Sequence, residues 1–67
     1  MPTIDVKMWK GVSEDAAEKI ISGITEVFVE LGIPERAVHV IIHEIPKTHW
    51  GIEGKQASKA MPDGKSP

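Results

Sequence analysis

The chain has 67 residues, contains no cysteine and carries a formal net charge of −2 at pH 7. This length allows one small domain, and the lack of cysteine excludes disulfides and thiolate metal sites. A single arginine and scattered lysines argue against a nucleic-acid or anionic-membrane surface, and no apolar stretch approaches the roughly 18 residues of a membrane-spanning helix.

The first predicted element is a strand over residues 3–9, because apolar and polar residues alternate along it. Its apolar face carries Ile4, Val6 and Met8. The polar face is interrupted only at the end, by Trp9. The sequence therefore predicts a strand with one face suited to a core.

The second predicted element is a helix over Glu14–Leu31. Ser13 is a suitable N-cap, and two acidic residues follow it, where the helix dipole favours negative charge. Apolar residues recur at helical spacing and form one stripe. They are Ala17, Ile20, Ile21, Ile24, Val27, Phe28 and Leu31. Gly32 is predicted to end the helix as its C′ residue, and Pro34 prevents its continuation.

A second strand is predicted over Ala37–Ile45, "AVHVIIHEI". Both of its faces are apolar, with Val38, Val40 and Ile42 on one side and Ile41 and Ile45 on the other. Such a strand prefers to be buried on both sides. Since the helix can cover only one side, we predict that a partner subunit covers the other.

A strand, a helix of matching length and a second strand predict an α/β (α+β) fold. We expect a single βαβ unit with parallel strands and a right-handed crossover. Gly51 and Gly54 then indicate a short C-terminal hairpin or extended arm. We predict that the domain covers residues 1–59 and that residues 60–67 form a disordered tail, because proline, glycine, serine and charge dominate there.

The strongest candidate for chemistry is Pro2. If Met1 is removed, which requires a small second residue, the nitrogen of Pro2 becomes a secondary amine in a rigid ring. Burial in an apolar pocket would lower the pKa of that amine towards neutrality, where an amine is an efficient general base. If Met1 is retained, the nitrogen is an amide without useful basicity, and Pro2 is simply a tolerated start of a strand.

Three histidines raise the question of a metal site. His39 and His43 are four residues apart on a predicted strand, so about 13 Å separates them and they cannot share one ion. His49 lies in a predicted loop and could join either. We favour histidines that are satisfied by local hydrogen bonds, and we predict no metal and no cofactor.

The stretch "VHVIIHEIPKTHWGIEGKQAS" at 38–58, together with Pro2 and the βαβ order, resembles the 4-oxalocrotonate tautomerase family. The family pattern is V-R-V-I-I-x-E-x-x-x-x-H-[FWY]-[AG]-[IV]-G-G-x-x-A-S. The resemblance implies a subunit that assembles as a dimer and then usually as a hexamer, a trimer of dimers. It also implies an isomerase in which Pro2, after removal of Met1, is general base and acid for enol–keto interconversion of a small 2-oxo acid.

Two arginines of the family pattern are missing from this chain. Val12 stands where the family has an arginine after the glycine of the first loop, and His39 stands in place of the arginine of V-R-V. In the family these arginines bind the substrate carboxylates and stabilise the developing oxyanion. His39, Arg36 or Lys10 would have to supply part of that role.

The resemblance also implies a role for both tryptophans. Trp50 stands where the family has an aromatic pocket wall, and Trp9 aligns with another apolar wall position. Both are expected to exclude water and to keep the amine of Pro2 neutral. Packing between subunits is a second interpretation, and it is compatible with the first.

Two alternative functions stay open. Relatives in the same superfamily hydrate or dehalogenate acrylates or decarboxylate a semialdehyde, and the loss of both arginines also fits a non-catalytic, diverged oligomer. The expected partners are a small-molecule substrate and further copies of this chain. Because no signal-peptide pattern is present, the predicted location is the cytoplasm.

Overall fold

The structure is a computed structural model that describes residues 2–61. Strand β1, Thr3–Trp9, and strand β2, His39–Ile45, lie side by side and pair in parallel. Helix α1, Glu14–Glu30, connects them. This arrangement confirms the predicted βαβ unit.

A C-terminal arm follows β2. It contains two short antiparallel strands, β3, Gly51–Ile52, and β4, Lys55–Gln56, and then the one-turn helix α2, Ala57–Ala60. The hairpin was predicted, whereas α2 was not. The predicted tail begins at residue 60, but Ala60 still belongs to α2, and residues 62–67 lie outside the described residues.

Helix α1 covers one face of the parallel sheet and leaves the other face exposed. The register runs from Thr3 opposite His39 to Trp9 opposite Ile45. Every second side chain of β1 and β2 is half-buried beneath α1: Ile4, Val6, Met8, Val40 and Ile42. On the opposite face Ile41 is 46% exposed. The predicted uncovered apolar position on β2 is confirmed, and an apolar group left in water there favours association.

Both ends of α1 follow the predicted signals. The Ser13 hydroxyl oxygen accepts a hydrogen bond from the backbone N–H of Ala16 at 3.0 Å, as an N-cap does. The helix ends at Glu30, one residue earlier than predicted. Gly32 follows with a φ of +94°, a backbone conformation that glycine adopts without steric cost. The predicted C′ role of Gly32 is thereby confirmed.

The predicted start of β2 was wrong by two residues. A 3₁₀ turn occupies Glu35–Ala37 instead, and the backbone N–H of Ala37 donates to the carbonyl of Pro34 at 2.9 Å. The apolar letters at 37 and 38 matched a strand, but the turn that Pro34 introduces takes up the first of them. β2 therefore begins at His39.

Ala57 fixes the C-terminal arm to the preceding loop. Among residues 2–61 it is the one residue that is completely buried. Its backbone N–H donates to the carbonyl of Trp50 at 2.7 Å.

Among residues 2–61, none of the helices has the length and apolar character of a membrane-spanning segment.

Candidate active site

Pro2 lies at the start of β1, beside the start of β2. The backbone N–H of His39 donates to the Pro2 carbonyl at 3.0 Å, which continues the parallel ladder by one step. The Pro2 ring is half-buried, whereas the His39 side chain is exposed. Pro2 is therefore held at a fixed place although it precedes the first strand.

Arg36 lies at the same end of the sheet as Pro2. It belongs to the 3₁₀ turn Glu35–Ala37 that leads into β2, and its side chain is exposed. His39 begins β2 three residues later. Pro2, His39 and Arg36 therefore lie at the same end of the two-stranded sheet.

Trp9 and Trp50 lie at the opposite end. Their rings meet edge to face, with 6.1 Å between the ring centroids and an interplanar angle of 78°. The Lys47 ammonium lies 4.6 Å from the centroid of the Trp9 ring, within the range of a cation–π contact. The two tryptophans and Lys47 form one cluster, the aromatic cluster, at the carboxyl ends of β1 and β2.

A cavity of about 240 Å³ adjoins the aromatic cluster. It is lined by Lys7, Ile45, His49, Trp50 and Gly51. The Nδ1 atom of His49 lies 3.0 Å from the hydroxyl oxygen of Thr48. We call this space the strand-end cavity. A larger depression of about 510 Å³ runs along α1, but none of the site residues predicted from the sequence lines it.

The predicted site residues therefore lie at two opposite ends of the β1–β2 sheet within one subunit. Seven residue steps along β1 separate Pro2 from Trp9, which corresponds to about 23 Å. Pro2 and His39 lie at one end, and Trp9 and Trp50 lie at the other. A small substrate cannot contact both groups within one subunit.

Glu44 is a site residue that the sequence analysis missed. Its Oε1 atom accepts hydrogen bonds from the backbone N–H groups of Gly11 at 2.9 Å and Val12 at 3.0 Å. These two bonds lower the pKa of the Glu44 carboxyl below its usual range, and Lys10 adds a smaller effect in the same direction. Glu44 therefore fixes the loop between β1 and α1, in which Val12 lies.

A signal for this role of Glu44 was present in the alternation of β2. Glu44 continues the series of Val40 and Ile42, so it falls on the face that α1 covers. A carboxylate at this position interrupts the apolar series, although its side chain is exposed near the end of the strand. Its partners are backbone N–H groups, which no pattern of side chains reveals.

We expect Glu44→Gln to lower stability at neutral pH, because a neutral amide is a weaker acceptor for two N–H groups than a carboxylate. Because the folded-state pKa of Glu44 is lowered, its contribution exists above its pKa in the unfolded chain and is lost as the pH falls through the folded value. The advantage of the wild type over Glu44→Gln should therefore be complete from pH 7 down to near the ordinary pKa of a glutamate, about 4.3, and should shrink as the pH is lowered further. Thermal unfolding of both proteins across this range measures the difference.

Glu18→Gln is the matched control for this experiment. Glu18 lies exposed on α1, and its replacement changes one charge without removing a contact to the first loop. It should lower the unfolding midpoint less than Glu44→Gln does. Equal midpoints for Glu44→Gln and wild type at neutral pH would contradict the anchoring role.

The histidines do not gather into a metal centre in the part of the chain that the structure describes. No group of three His, Asp or Glu side chains within residues 2–61 is arranged to hold a metal ion. His39 and His43 lie on the same face of β2, four residues apart. The Nε2 atom of His43 lies 3.4 Å from the Oδ1 atom of Asp5 on β1.

Comparison with known proteins gives a consistent result. The family model described as tautomerase enzyme matches residues 2–60. The chain is 40% identical over 65 residues to a probable tautomerase of Ralstonia nicotianae, a match that covers 92% of this chain and 93% of the relative. It is 38% identical over 60 residues to the 2-hydroxymuconate tautomerase of Comamonas testosteroni. That match covers 88% of this chain and 95% of the relative.

A solved structure extends the comparison to the fold. A 4-oxalocrotonate tautomerase isozyme from Methylibium petroleiphilum superposes with a TM-score of 0.83 at 31% sequence identity. The match covers 90% of this chain and 98% of the other. Sequence and fold therefore agree over nearly the whole described chain.

Proposed function

We propose, from the premise that this chain belongs to the 4-oxalocrotonate tautomerase family of the tautomerase superfamily, that it is an isomerase whose Pro2 interconverts enol and keto forms of a small 2-oxo acid. The family match begins at Pro2 and supports tautomerase activity. The observation that carries the proposal for Pro2 is its fixed position, since its carbonyl accepts the N–H of His39 at 3.0 Å. A ring held in this way gives the nitrogen lone pair a defined direction.

The proposed reaction needs one group that accepts and returns a proton. After removal of Met1, the neutral amine of Pro2 takes a proton from the enol oxygen or from a carbon next to the carbonyl group. The electron pair left behind is shared through the conjugated enolate. The protonated amine then delivers the proton to another carbon of the conjugated system, and the neutral amine is restored.

The site proposed here forms between copies of the chain. About 23 Å separates Pro2 from Trp9 within one subunit, so a second subunit has to bring its aromatic cluster to Pro2. The uncovered sheet face supports such an assembly, and so do exposed apolar groups on α1, of which Val27 is 56% exposed. We propose a homo-oligomer, specifically a hexamer built as a trimer of dimers.

An aromatic cluster brought to Pro2 would also adjust its basicity. Apolar rings exclude water, and loss of water disfavours the charged form of an amine, which lowers its pKa. An amine with a pKa near the working pH is the most effective general base. The rings of Trp9 and Trp50 thus have a chemical role in the assembled site as well as a packing role.

The function is tested by turnover and by labelling. Two enols, 2-hydroxymuconate and phenylenolpyruvate, are mixed with purified protein, and their conversion to the keto forms is followed by absorbance. 3-Bromopyruvate should alkylate the free amine of Pro2, and mass spectrometry should locate a single adduct in the amino-terminal peptide. Retention of Met1, or ketonisation no faster than in buffer for both enols, would contradict the proposal.

A non-catalytic oligomer is the second candidate function. The observation that favours it is the replacement of two guanidinium groups by Val12 and His39, each of which removes a bidentate contact to carboxylate. The same labelling experiment separates the candidates, because a blocked or solvated nitrogen at Pro2 would react slowly or not at all. Location in the cytoplasm stays a prediction from the sequence.

A further inference from the structure

The tip of the C-terminal hairpin holds a residue in a costly conformation. β3 and β4 are joined by Glu53 and Gly54, whose φ angles are +51° and +80°. A two-residue hairpin turn with both φ values positive favours asparagine, aspartate or glycine at its first position. Within residues 2–61, Glu53 is the one residue other than glycine that has a positive φ. Glycine would serve the turn better, which indicates that the Glu53 carboxylate has a role outside the turn.

The Glu53 carboxylate and the chain's single arginine, Arg36, are both available to another molecule. The Glu53 side chain is exposed and forms no ion pair with any residue of the described range 2–61. Arg36 is exposed in the 3₁₀ turn before β2, and it too has no carboxylate partner among these residues. One anion and one cation are therefore left to pair between molecules.

The assembly proposed above brings these two charges together. Glu53 follows Trp50 by three residues, so the hairpin tip lies within about 10 Å of the aromatic cluster. Arg36 lies at the other end of the sheet, beside Pro2, because the N–H of His39 shortly after it donates to the Pro2 carbonyl. When one copy places its aromatic cluster against Pro2 of another, its hairpin tip reaches the turn that carries Arg36 of that other copy.

Hydrogen bonds hold the hairpin in a defined place. The side-chain amide of Gln56 donates to the carbonyl of Thr48 at 3.0 Å. The N–H of Ala57 donates to the carbonyl of Trp50 at 2.7 Å. These two bonds tie β4 and α2 to the loop that carries Trp50. Little conformational entropy is therefore lost when the hairpin tip contacts a second subunit.

We propose that Glu53 of one subunit forms an ion pair with Arg36 of a neighbouring subunit, and that this pair fastens the C-terminal arm over the Pro2 end of the neighbour. This inference rests on the assembly in the proposed function, in which the active site forms between copies. A planar guanidinium holds a carboxylate through two parallel N–H···O bonds, which gives the contact a defined geometry. Arg36 keeps further N–H donors after it binds Glu53, so the pair also holds a cation near Pro2.

Exchange of the two charges tests the pair. Sedimentation velocity over a dilution series gives the dissociation constant of the assembly. Glu53→Arg and Arg36→Glu should each raise this constant by about tenfold, because each places like charges opposite one another. The double variant with both changes restores opposite charges and should return the constant to within about threefold of the wild type. A double variant that associates no better than the single variants would overturn the inference.

Glu53→Gly separates the ion pair from the backbone of the turn. Glycine adopts a positive φ without steric cost, so this variant relieves the turn and removes only the carboxylate. We expect the dissociation constant to rise by about three- to tenfold in spite of the better turn. Glu18→Gln, which removes an exposed carboxylate from α1, is the control and should change the constant by less than about twofold. Association of Glu53→Gly as tight as that of the wild type would contradict the pair.

Cross-linking detects the contact directly, since the chain has no cysteine of its own. Arg36→Cys and Glu53→Cys are prepared as separate proteins, mixed at high concentration so that subunits exchange, and treated with bismaleimidoethane. Mass spectrometry should find a covalent dimer linked between positions 36 and 53. A mixture of Lys19→Cys with Glu53→Cys should give no such dimer. Absence of the 36–53 link would also overturn the inference.

The outcome is distinguishable from failure of the proposed function. Neither sedimentation nor cross-linking uses a substrate, so the pair is detected even if neither enol is turned over. Turnover by a protein whose charge variants associate as the wild type does would leave the proposed function standing and remove the pair.

Discussion

Pro2→Ala should lower kcat/KM for enol–keto conversion by about 100-fold, the lower end of the range for loss of a general base. Alanine is small, so Met1 is still removed and a free amine remains in the same position of the chain. That amine is primary and rotates freely, whereas the proline ring fixes the direction of the lone pair. The expected result is a large loss with residual activity, measured with 2-hydroxymuconate and phenylenolpyruvate.

Pro34→Ala is the matched control for Pro2→Ala. Pro34 is exposed and precedes the 3₁₀ turn before β2, at the same end of the sheet as Pro2, but its nitrogen is an ordinary amide that cannot act as a base. It should retain activity to within about threefold. Titration of the amino-terminal nitrogen by NMR adds an independent reading, since the proposal requires a pKa well below that of a solvated secondary amine. Equal rates for Pro2→Ala and wild type would remove Pro2 from the mechanism.

Val12→Arg should raise kcat/KM for a dicarboxylate by about 10- to 100-fold, because a charged hydrogen bond to carboxylate contributes about 1.5–3 kcal/mol. Glu44 already holds the backbone at this position, through its contact with the Val12 N–H at 3.0 Å. A guanidinium placed there starts from an ordered loop, so little ordering entropy opposes its contact with substrate. The measurement is turnover of 2-hydroxymuconate, a dicarboxylate, against phenylenolpyruvate, a monocarboxylate.

The control for Val12→Arg is Val29→Arg. Val29 is 40% exposed on α1, so this variant adds the same charge to the surface without placing it in the first loop. It should change neither rate by more than about threefold. If both enols gained equally from Val12→Arg, the arginine would be acting through general attraction and not through recognition of a second carboxylate.

Local signals in the sequence were sufficient for most of the fold. β1 follows from strict alternation, and the ends of α1 follow from Ser13 and Gly32, whose side-chain and backbone chemistry is local. The predicted start of β2 was wrong because apolar residues alone do not distinguish the beginning of a strand from the end of a 3₁₀ turn. The helix α2 was missed because four residues, "ASKA", carry no periodicity.

The candidate site was less predictable than the fold. The role of Glu44 depends on two backbone N–H groups that are far away in sequence. Gly11 lies 33 residues before Glu44, and Val12 lies 32 residues before it. The strand-end cavity is lined by Lys7 and by His49, which are remote in sequence. Neither the hydrogen bonds of Glu44 nor the lining of the cavity can be read from the composition of a local segment. The family resemblance pointed to Pro2 and the tryptophans, but the position of Trp50 beside Trp9, at the far end of β1 from Pro2, emerges only from the contact between the two rings.

The near-absence of full burial has a consequence for how the protein behaves on dilution. With Ala57 as the one completely enclosed residue among those described, a solitary chain retains few of the apolar contacts that resist unfolding. We therefore expect folding and association to be a single concentration-dependent equilibrium. Dilution to nanomolar concentrations would then shift this equilibrium towards unfolded single chains, so the activity per chain should fall as the protein is diluted.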